Sequence, residues 1–126
     1  EALNVGEEMN SQVGIGAVGA DVNSPLLIDS SGTWTEISSG FSHNCGIDLE
    51  VLKCWGQNYY GQVGTGFSSN FTAPQIIDSN GLWSKLGLGL NHSCGINNGT
   101  MKCWGQDVYS AVGVGQDTSF PRFVIE

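Results

Sequence analysis

The chain has 126 residues, 19 of them glycine, and combines 12 acidic residues with only four basic ones, for a formal net charge of −8. A hydrophobic content of 40% predicts a globular chain rather than a disordered one. Four scattered cations cannot build the basic patch that nucleic acid requires, which excludes DNA and RNA partners. An anionic membrane surface is disfavoured for the same reason, and no apolar run approaches the length of a transmembrane helix. Glycine at short intervals indicates an all-β chain of many short strands.

The chain opens at Glu1 without a signal peptide, which we interpret as a mature product or an excerpt of a longer protein. Its first readable element, Leu3–Gly6, aligns with the later segment Lys53–Gly56 but lacks the cysteine and the tryptophan of that segment.

An internal repeat of 49 residues organises the chain. Each copy carries a glycine-rich motif, a proline followed by apolar residues, a Gly-x-Trp motif and two cysteines. The matched segments are Val13–Gly16, Val63–Gly66 and Val112–Gly115; Pro25–Asp29 and Pro74–Asp78; Gly32–Trp34 and Gly81–Trp83; and His43–Gly56 and His92–Gly105. We interpret residues 1–126 as one segment with full units at about 9–56 and 67–105 and partial units at both ends.

Each unit predicts four short antiparallel strands, which is the composition of a β-propeller blade, and the chain holds about two and a half units. The first strand is expected to follow the proline, the second to start at the tryptophan, and the last two to form a cysteine hairpin. The expected ranges for the first two are Leu26–Ile28 and Ile76–Ile77, and Trp34–Ser38 and Trp83–Leu86. The glycines between Gly56 and Gly66 indicate positive φ angles or close backbone approach.

Packing between blades is expected from apolar residues that recur at the repeat spacing. They are Val13, Val63 and Val112, Ile37 and Leu86, and Ile47 and Ile96. The four tryptophans are interpreted as core residues, with an aromatic platform for a sugar as the alternative. They are Trp34, Trp55, Trp83 and Trp104.

The cysteines are predicted to form one disulfide within each hairpin. A type I′ turn at Asn98–Gly99 places Cys94 opposite Cys103 on a non-hydrogen-bonded pair, where the Cα atoms approach within disulfide range. The first copy predicts the same pairing of Cys45 with Cys54, although its turn pair, Leu49–Glu50, is unfavourable and leaves a bulge or longer loop open. The alternative is four reduced cysteines packed as small hydrophobic residues. Only His43 and His92 could join them as zinc ligands, so no metal and no cofactor is predicted.

Three Asn-X-Ser/Thr sequons, together with the predicted disulfides, indicate a secretory, oxidising route and N-linked glycans. Asn98, at a hairpin tip, is the favoured acceptor, followed by Asn70 in a polar loop; Asn91 is expected in a strand. The alternative is three unused triplets in an exported bacterial protein.

Three segments resemble repeats of the regulator of chromosome condensation family: Cys54–Asn58, Gly61–Gly66 and Gly89–Ile96. The resemblance extends over nearly the whole chain. The resemblance implies a propeller, commonly of seven blades. The paired cysteines resemble the secreted branch that includes Crinkly-type receptor ectodomains. The nucleotide exchange and chromatin binding of the nuclear founding member do not carry over, because the acidic balance, the predicted disulfides and the sequons oppose them.

Catalysis is not expected. His43 and His92 occupy equivalent places, which indicates a repeated structural hydrogen bond, and neither they nor Asp29, Asp48 and Asp78 form a catalytic grouping by spacing. No calcium loop is readable.

The sequence therefore predicts an extracellular structural or protein-interaction module whose partner is a protein or further copies of itself. It would be either a segment of a longer propeller or a subunit of an assembly or filament, because open sheet edges template pairing. The alternative function is a secreted inhibitor or carbohydrate-recognition propeller that binds through loops such as Gly66–Pro74.

Overall fold

The computed structural model describes the backbone of residues 3–5, 26–106 and 118–123, and the side chains of residues 27–106. Within these ranges every regular element is an antiparallel strand, as predicted. The strands are β1 (Leu3–Val5), β2 (Leu26–Asp29), β3 (Trp34–Ser39), β4 (His43–Asp48), β5 (Val51–Gly56), β6 (Phe71–Asp78), β7 (Trp83–Leu88), β8 (His92–Asn97), β9 (Thr100–Gly105) and β10 (Thr118–Phe123). The glycine-rich motifs at Val13–Gly16 and Val112–Gly115, with the packing expected of Val13 and Val112, lie outside the described residues.

The strands form two four-stranded sheets and one two-stranded sheet. We call β3-β4-β5-β6 the first blade and β7-β8-β9-β10 the second blade, and β1-β2 the half blade. Each full blade is built from four consecutive strands, so the predicted blade composition is confirmed. In the described part of the chain no helical segment has the length and hydropathy needed to cross a bilayer.

The predicted position of the proline strand within the unit is wrong. It was expected to open a blade, but β6 pairs with β5 and completes the preceding one, and β2 pairs with β1 in the same way. The physical reason is the loop 57–70, whose two ends are held together so that Phe71 lies opposite Gly56. The repeat units interpreted from the sequence, 9–56 and 67–105, therefore follow the sequence repeat but do not coincide with the limits of the sheets.

The strand β6 also begins earlier than predicted, at Phe71 rather than after Pro74. Proline has no N–H to donate to a neighbouring strand, which confines it to sheet edges and irregular positions. Pro74 meets both conditions, because β6 is the last strand of its sheet and its register with β5 shifts between Cys54 and Gly56.

The 49-residue repeat is reproduced in strand register. The pairs Leu3–Asp29 and Asn4–Leu27 in the half blade correspond to Leu52–Asp78 and Lys53–Ile76 in the first blade, with the bulge at the same place. The half blade is thus equivalent to the last two strands of a full blade, β5 and β6.

The two cysteine hairpins share one turn geometry. Asn98 (φ 52°) and Gly99 (φ 80°) form the two-residue turn that the sequence predicts, with Asn97 paired to Thr100. Leu49 (φ 50°) and Glu50 (φ 67°) adopt the same left-handed conformation, so the bulge or longer loop left open for this turn is absent. The register places Cys45 opposite Cys54 and Cys94 opposite Cys103, and each pair lies at disulfide distance, with S–S separations of 2.06 Å.

Each blade has two unlike faces because side chains alternate along a strand. The disulfide face of the first blade carries Cys45, Ile47, Leu52 and Cys54; the tryptophan face carries Trp34 and Trp55. The equivalents in the second blade are Cys94, Ile96, Met101 and Cys103 on the disulfide face and Trp83 and Trp104 on the tryptophan face.

The joint between the blades is the main core of the described structure. The disulfide face of the first blade packs against the tryptophan face of the second, with Val63 from the glycine-rich loop and the partly buried Leu86 filling the joint. Ile37, which was predicted to fill a contact between blades as its repeat equivalent Leu86 does, is instead exposed.

The tryptophans of each blade pack edge to face, with ring centroids 6.2 Å apart for Trp34 and Trp55 and 6.0 Å apart for Trp83 and Trp104. All four are buried, as predicted. Gly46 is required here, because a Cβ atom on it would overlap the Trp34 ring.

Candidate functional site

Backbone and side-chain hydrogen bonds connect the two blades across their joint. The Trp83 N–H donates to the Glu50 carbonyl (3.2 Å), and the Leu88 N–H donates to the Ser38 hydroxyl (3.1 Å). At the far end the Phe41 N–H donates to the Leu90 carbonyl (3.2 Å). These bonds fix the turns and loops of the two blades relative to each other.

His43 lies in the centre of this joint and reaches across it to Ser93. The distance from His43 Nε2 to Ser93 Oγ is 2.9 Å, and the Ser93 hydroxyl donates to the Gln62 carbonyl at 2.8 Å. Since the hydroxyl proton is used in that second bond, Ser93 receives its bond from His43, which assigns the Nε2–H tautomer to the ring. Burial, which disfavours the imidazolium, lowers the pKa of His43 to about 4.

Ser93 and His43 are the residue types of a nucleophile and its general base, but the hydrogen bond between them runs in the wrong direction for that role. Ser93 donates away from the histidine, and His43, Ser93 and Gln62 are all buried. A repeated hydrogen bond occurs on the main chain, where the Gly40 N–H donates to the His43 carbonyl and the Gly89 N–H to the His92 carbonyl. It does not involve the imidazole rings, so a repeated hydrogen bond of the two side chains stays a prediction. The contact between His43 and Ser93 crosses two blades and left no signal in the sequence.

The candidate acids are used in structural contacts at the opposite end of the strands. Asp29 accepts a hydrogen bond from the Trp34 indole (3.2 Å), and Asp78 accepts the equivalent bond from Trp83 (3.1 Å). Each therefore ties the last strand of one sheet to the first strand of the next. The backbone N–H of Ser31 is the main cause that lowers the pKa of Asp29.

Asp48 forms a local ion pair. Its Oδ2 lies 2.8 Å from Lys53 Nζ, and its Oδ1 accepts from the Thr33 N–H at 2.7 Å. Burial acts to raise the pKa of Asp48, but the bonds from Lys53 and Thr33 outweigh it and the pKa is lowered. Lys53 also lies 5.5 Å from the centre of the Trp34 ring. Groups of three or more metal-ligating side chains do not occur among the described residues.

The three sequons differ in their surroundings. Asn98 is exposed at the hairpin tip, as predicted. Asn70 is exposed in the loop; its Oδ1 accepts from the Asn58 N–H, which leaves Nδ2, the atom that carries a glycan. Asn91 lies in a turn rather than in a strand, and its Nδ2 donates to Gln106 at 3.2 Å.

The loop 57–70 is organised around Asn58, a buried residue that the sequence indicated only as part of the repeat motif. The Asn58 side chain donates to the carbonyls of Phe67 (2.9 Å) and Ser69 (3.0 Å) and accepts from the Val63 N–H (2.8 Å). Gly61, Gly64 and Gly66 have positive φ, as the glycine spacing predicts. Gly64 is also needed because a Cβ atom there would meet the Trp104 indole at 2.8 Å.

Comparison with known proteins shows the fold. No family model matches the chain, and no curated protein matches it. Solved structures do. Prp20p from Saccharomyces cerevisiae, a structure described with its binding properties to Gsp1p and histones, has a TM-score of 0.81 and 20% identity over 94% of this chain. Yeast RCC1 (Prp20) bound to Kap60 has a TM-score of 0.82 and 22% identity over 94%. Human WBSCR16 has a TM-score of 0.78 and 16% identity over 92%.

The chain spans about one third of the length of these structures: 33%, 32% and 32%. Two of them bind proteins. With its four-stranded antiparallel blades and these likenesses, the chain has the fold of RCC1-like β-propeller blades.

Proposed function

We propose that the chain is an extracellular structural and protein-interaction module that forms part of a longer propeller. The observation that carries this proposal is the contrast between the two disulfide faces. In the first blade this face is buried against Trp83 and Trp104. In the second blade no described residue covers the equivalent face, and Met101, the counterpart of the fully buried Leu52, is 52% exposed.

The occupant of the open face is a further blade that presents a tryptophan face, because the joint between the two blades is a working example of that contact. A second copy of the chain fits less well. The tryptophan face of the first blade is already in contact with Ile28 of the half blade, so a copy could not repeat the same joint. Assembly of copies into a filament is therefore the alternative.

An oxidising compartment is supported by the two cysteine pairs at disulfide distance, with no free cysteine among the residues described. We propose secretion with an N-linked glycan on Asn98, whose side chain is exposed at the hairpin tip. Asn70 is a second acceptor, since its Nδ2 does not take part in the bond to Asn58. Asn91 is the least suitable, because its Nδ2 is used and the residue is half-buried.

We further propose that the module binds and does not catalyse. Of the candidate acids and bases, His43 is used in the joint, Asp29 and Asp78 accept hydrogen bonds from indoles, and Asp48 forms an ion pair. The protein partners of Prp20p support binding as the kind of role, without indicating which partner this chain has.

Intact mass spectrometry of the native protein, with and without reduction and deglycosylation, tests these proposals. The expected result is a polypeptide much larger than 13.3 kDa, with both cysteine pairs oxidised and glycan mass at Asn98. A bare chain of 13.3 kDa would contradict the longer propeller and favour an assembly of copies. Free thiols throughout would overturn the extracellular assignment.

A further inference from the structure

The second blade repeats most of the polar groups that the first blade places in the joint. The first blade contributes the imidazole of His43, the carbonyl of Glu50, the N–H of Phe41 and the hydroxyl of Ser38. Their counterparts 49 residues later are His92, Gly99, Leu90 and Gly87. Backbone groups recur whatever the side chain is, and Gly87 has no hydroxyl. Of these four counterparts, His92 is therefore the one whose side chain can repeat a polar contact of the joint.

The His92 ring occupies the same place in its blade as the His43 ring. Each histidine opens the second strand of its blade and pairs with the glycine that ends the third strand. A Cβ atom on Gly40 would overlap the His43 ring, and one on Gly89 would overlap the His92 ring. His43 is buried, however, whereas His92 is partly exposed and makes no side-chain hydrogen bond with another described residue. The two rings thus differ in what lies across from them.

Ser93 shows what lies across from the buried histidine. Its hydroxyl accepts from His43 Nε2 at 2.9 Å, because its own proton is donated to the Gln62 carbonyl at 2.8 Å. Ser93 is fully buried, and its counterpart in the first blade, Asn44, is also polar and buried. In this joint the second blade therefore supplies, at its Ser93 position, the acceptor for the histidine of the first blade.

The face around His92 is otherwise apolar. Ile96 and Met101 stand where the first blade has Ile47 and Leu52, and Met101 is 52% exposed. A blade that covered these side chains would also remove His92 from water. Because a buried N–H without an acceptor is unfavourable, a covering blade needs an acceptor opposite the ring.

We propose that the disulfide face of the second blade docks a blade with serine or threonine at the Ser93 position, and that His92 selects this blade by donating to the hydroxyl. The inference rests on the longer propeller proposed above and adds the residue that recognises the next blade. The joint between the two blades supports it, because the same face and the same histidine position already contact a tryptophan face and a serine there.

The probe for this proposal is a third blade made from the chain itself. A copy of residues 78–126 is appended after Glu126, which keeps the repeat spacing of 49. The copy carries leucine in place of its methionine, so that oxidation in this region reports on Met101. The original and the extended chain are treated with hydrogen peroxide, and the sulfoxide of Met101 is followed by peptide mass spectrometry.

Oxidation of Met101 is expected to be about tenfold slower in the extended chain, because the appended blade covers the thioether. Equal oxidation in the two chains would overturn the proposal, including the case in which the appended blade does not fold, since the face should accept a blade of this pattern. Protection in the original chain that grows with protein concentration would assign the face to a second copy and would also overturn it.

The role of His92 is tested by a double-mutant cycle in the extended chain. His92→Ala and Ser93→Ala, the latter in the appended copy alone, are made singly and together, and urea unfolding is measured. The matched cycle pairs His43→Ala with Ser93→Ala in the original chain. Each cycle should show a coupling of about fivefold in the unfolding equilibrium constant.

The outcomes separate this inference from the proposed function. Absence of coupling at His92 while Met101 stays protected would overturn the selection of a hydroxyl and leave the longer propeller standing. A native polypeptide of 13.3 kDa would contradict the longer propeller, whereas the two cycles would still report whether His92 recognises a hydroxyl.

Discussion

The two blades carry the same cysteines and tryptophans at a spacing of 49, but the structure gives their disulfide faces different surroundings. In the first blade Cys45, Ile47, Leu52 and Cys54 are buried under the tryptophans of the second blade. In the second blade Cys94 and Ile96 are only partly buried, and Met101 is exposed. The comparison shows that burial in this chain is determined by the neighbouring blade more than by the strand that carries the residue. It also provides a matched control for every substitution, since each position of one blade has a counterpart in the other.

The largest difference is expected from truncating the counterparts Leu52 and Met101. Leu52→Ala should lower the free energy of unfolding by about 2–5 kcal/mol, because it removes buried methyl groups and leaves a cavity. Met101→Ala should cost less than about 1 kcal/mol, because the side chain is half in solvent. Urea unfolding followed by tryptophan fluorescence measures both. If the two substitutions lower the free energy of unfolding equally in the isolated chain, the second disulfide face is covered. The contrast between the two blades would then be wrong.

Burial of His43 should make the stability of the chain depend on pH. The pKa of His43 in the folded chain, about 4, lies below the ordinary 6.5, so the unfolded chain binds this proton first. The stability that neutral His43 contributes is therefore complete above pH 6.5 and is lost as the pH falls towards 4, by roughly 3 kcal/mol.

Unfolding free energies measured between pH 7 and pH 4 should show this loss in the unaltered chain, but much less of it in His43→Gln. The lowered pKa values of Asp29 and Asp48 place their contributions at lower pH, where their carboxylates become protonated. A loss that persists in His43→Gln would show that another group titrates in the joint.

The smallest effect is expected from exchanging the two hairpin turns. Leu49 and Glu50 both adopt a left-handed conformation that is unfavourable for residues with a Cβ atom, whereas Asn98 and Gly99 tolerate it. Replacing Leu49 by Asn and Glu50 by Gly should stabilise the chain by about 1–2 kcal/mol. The reverse exchange, with Leu at 98 and Glu at 99, should destabilise it by a similar amount. Thermal unfolding of both variants provides the measurement. The midpoint should rise for the first exchange and fall for the second, and changes of the same sign would contradict the prediction.

The sequence by itself determined the local architecture. Asn98–Gly99 specifies a two-residue turn, the turn sets the register, and the register places Cys94 opposite Cys103. The repeat then transfers the same register to the first hairpin, even though its turn residues are unfavourable. These relations depend on neighbours within about ten residues along the chain, so a repeat and a turn rule were sufficient to find them.

Only the tertiary structure decided which strand belongs to which sheet and what each face contacts. The strand β6 joins the preceding blade because Asn58 closes the loop 57–70, and no sequence pattern reports the three bonds that its side chain makes to the loop backbone. The contact of His43 with Ser93 joins residues 50 positions apart in different blades. Likewise, the contrast between Leu52 and Met101 arises from a neighbour that one blade has among the described residues and the other lacks. Burial of a face is a property of two sheets in contact, and a strand sequence describes only one of them.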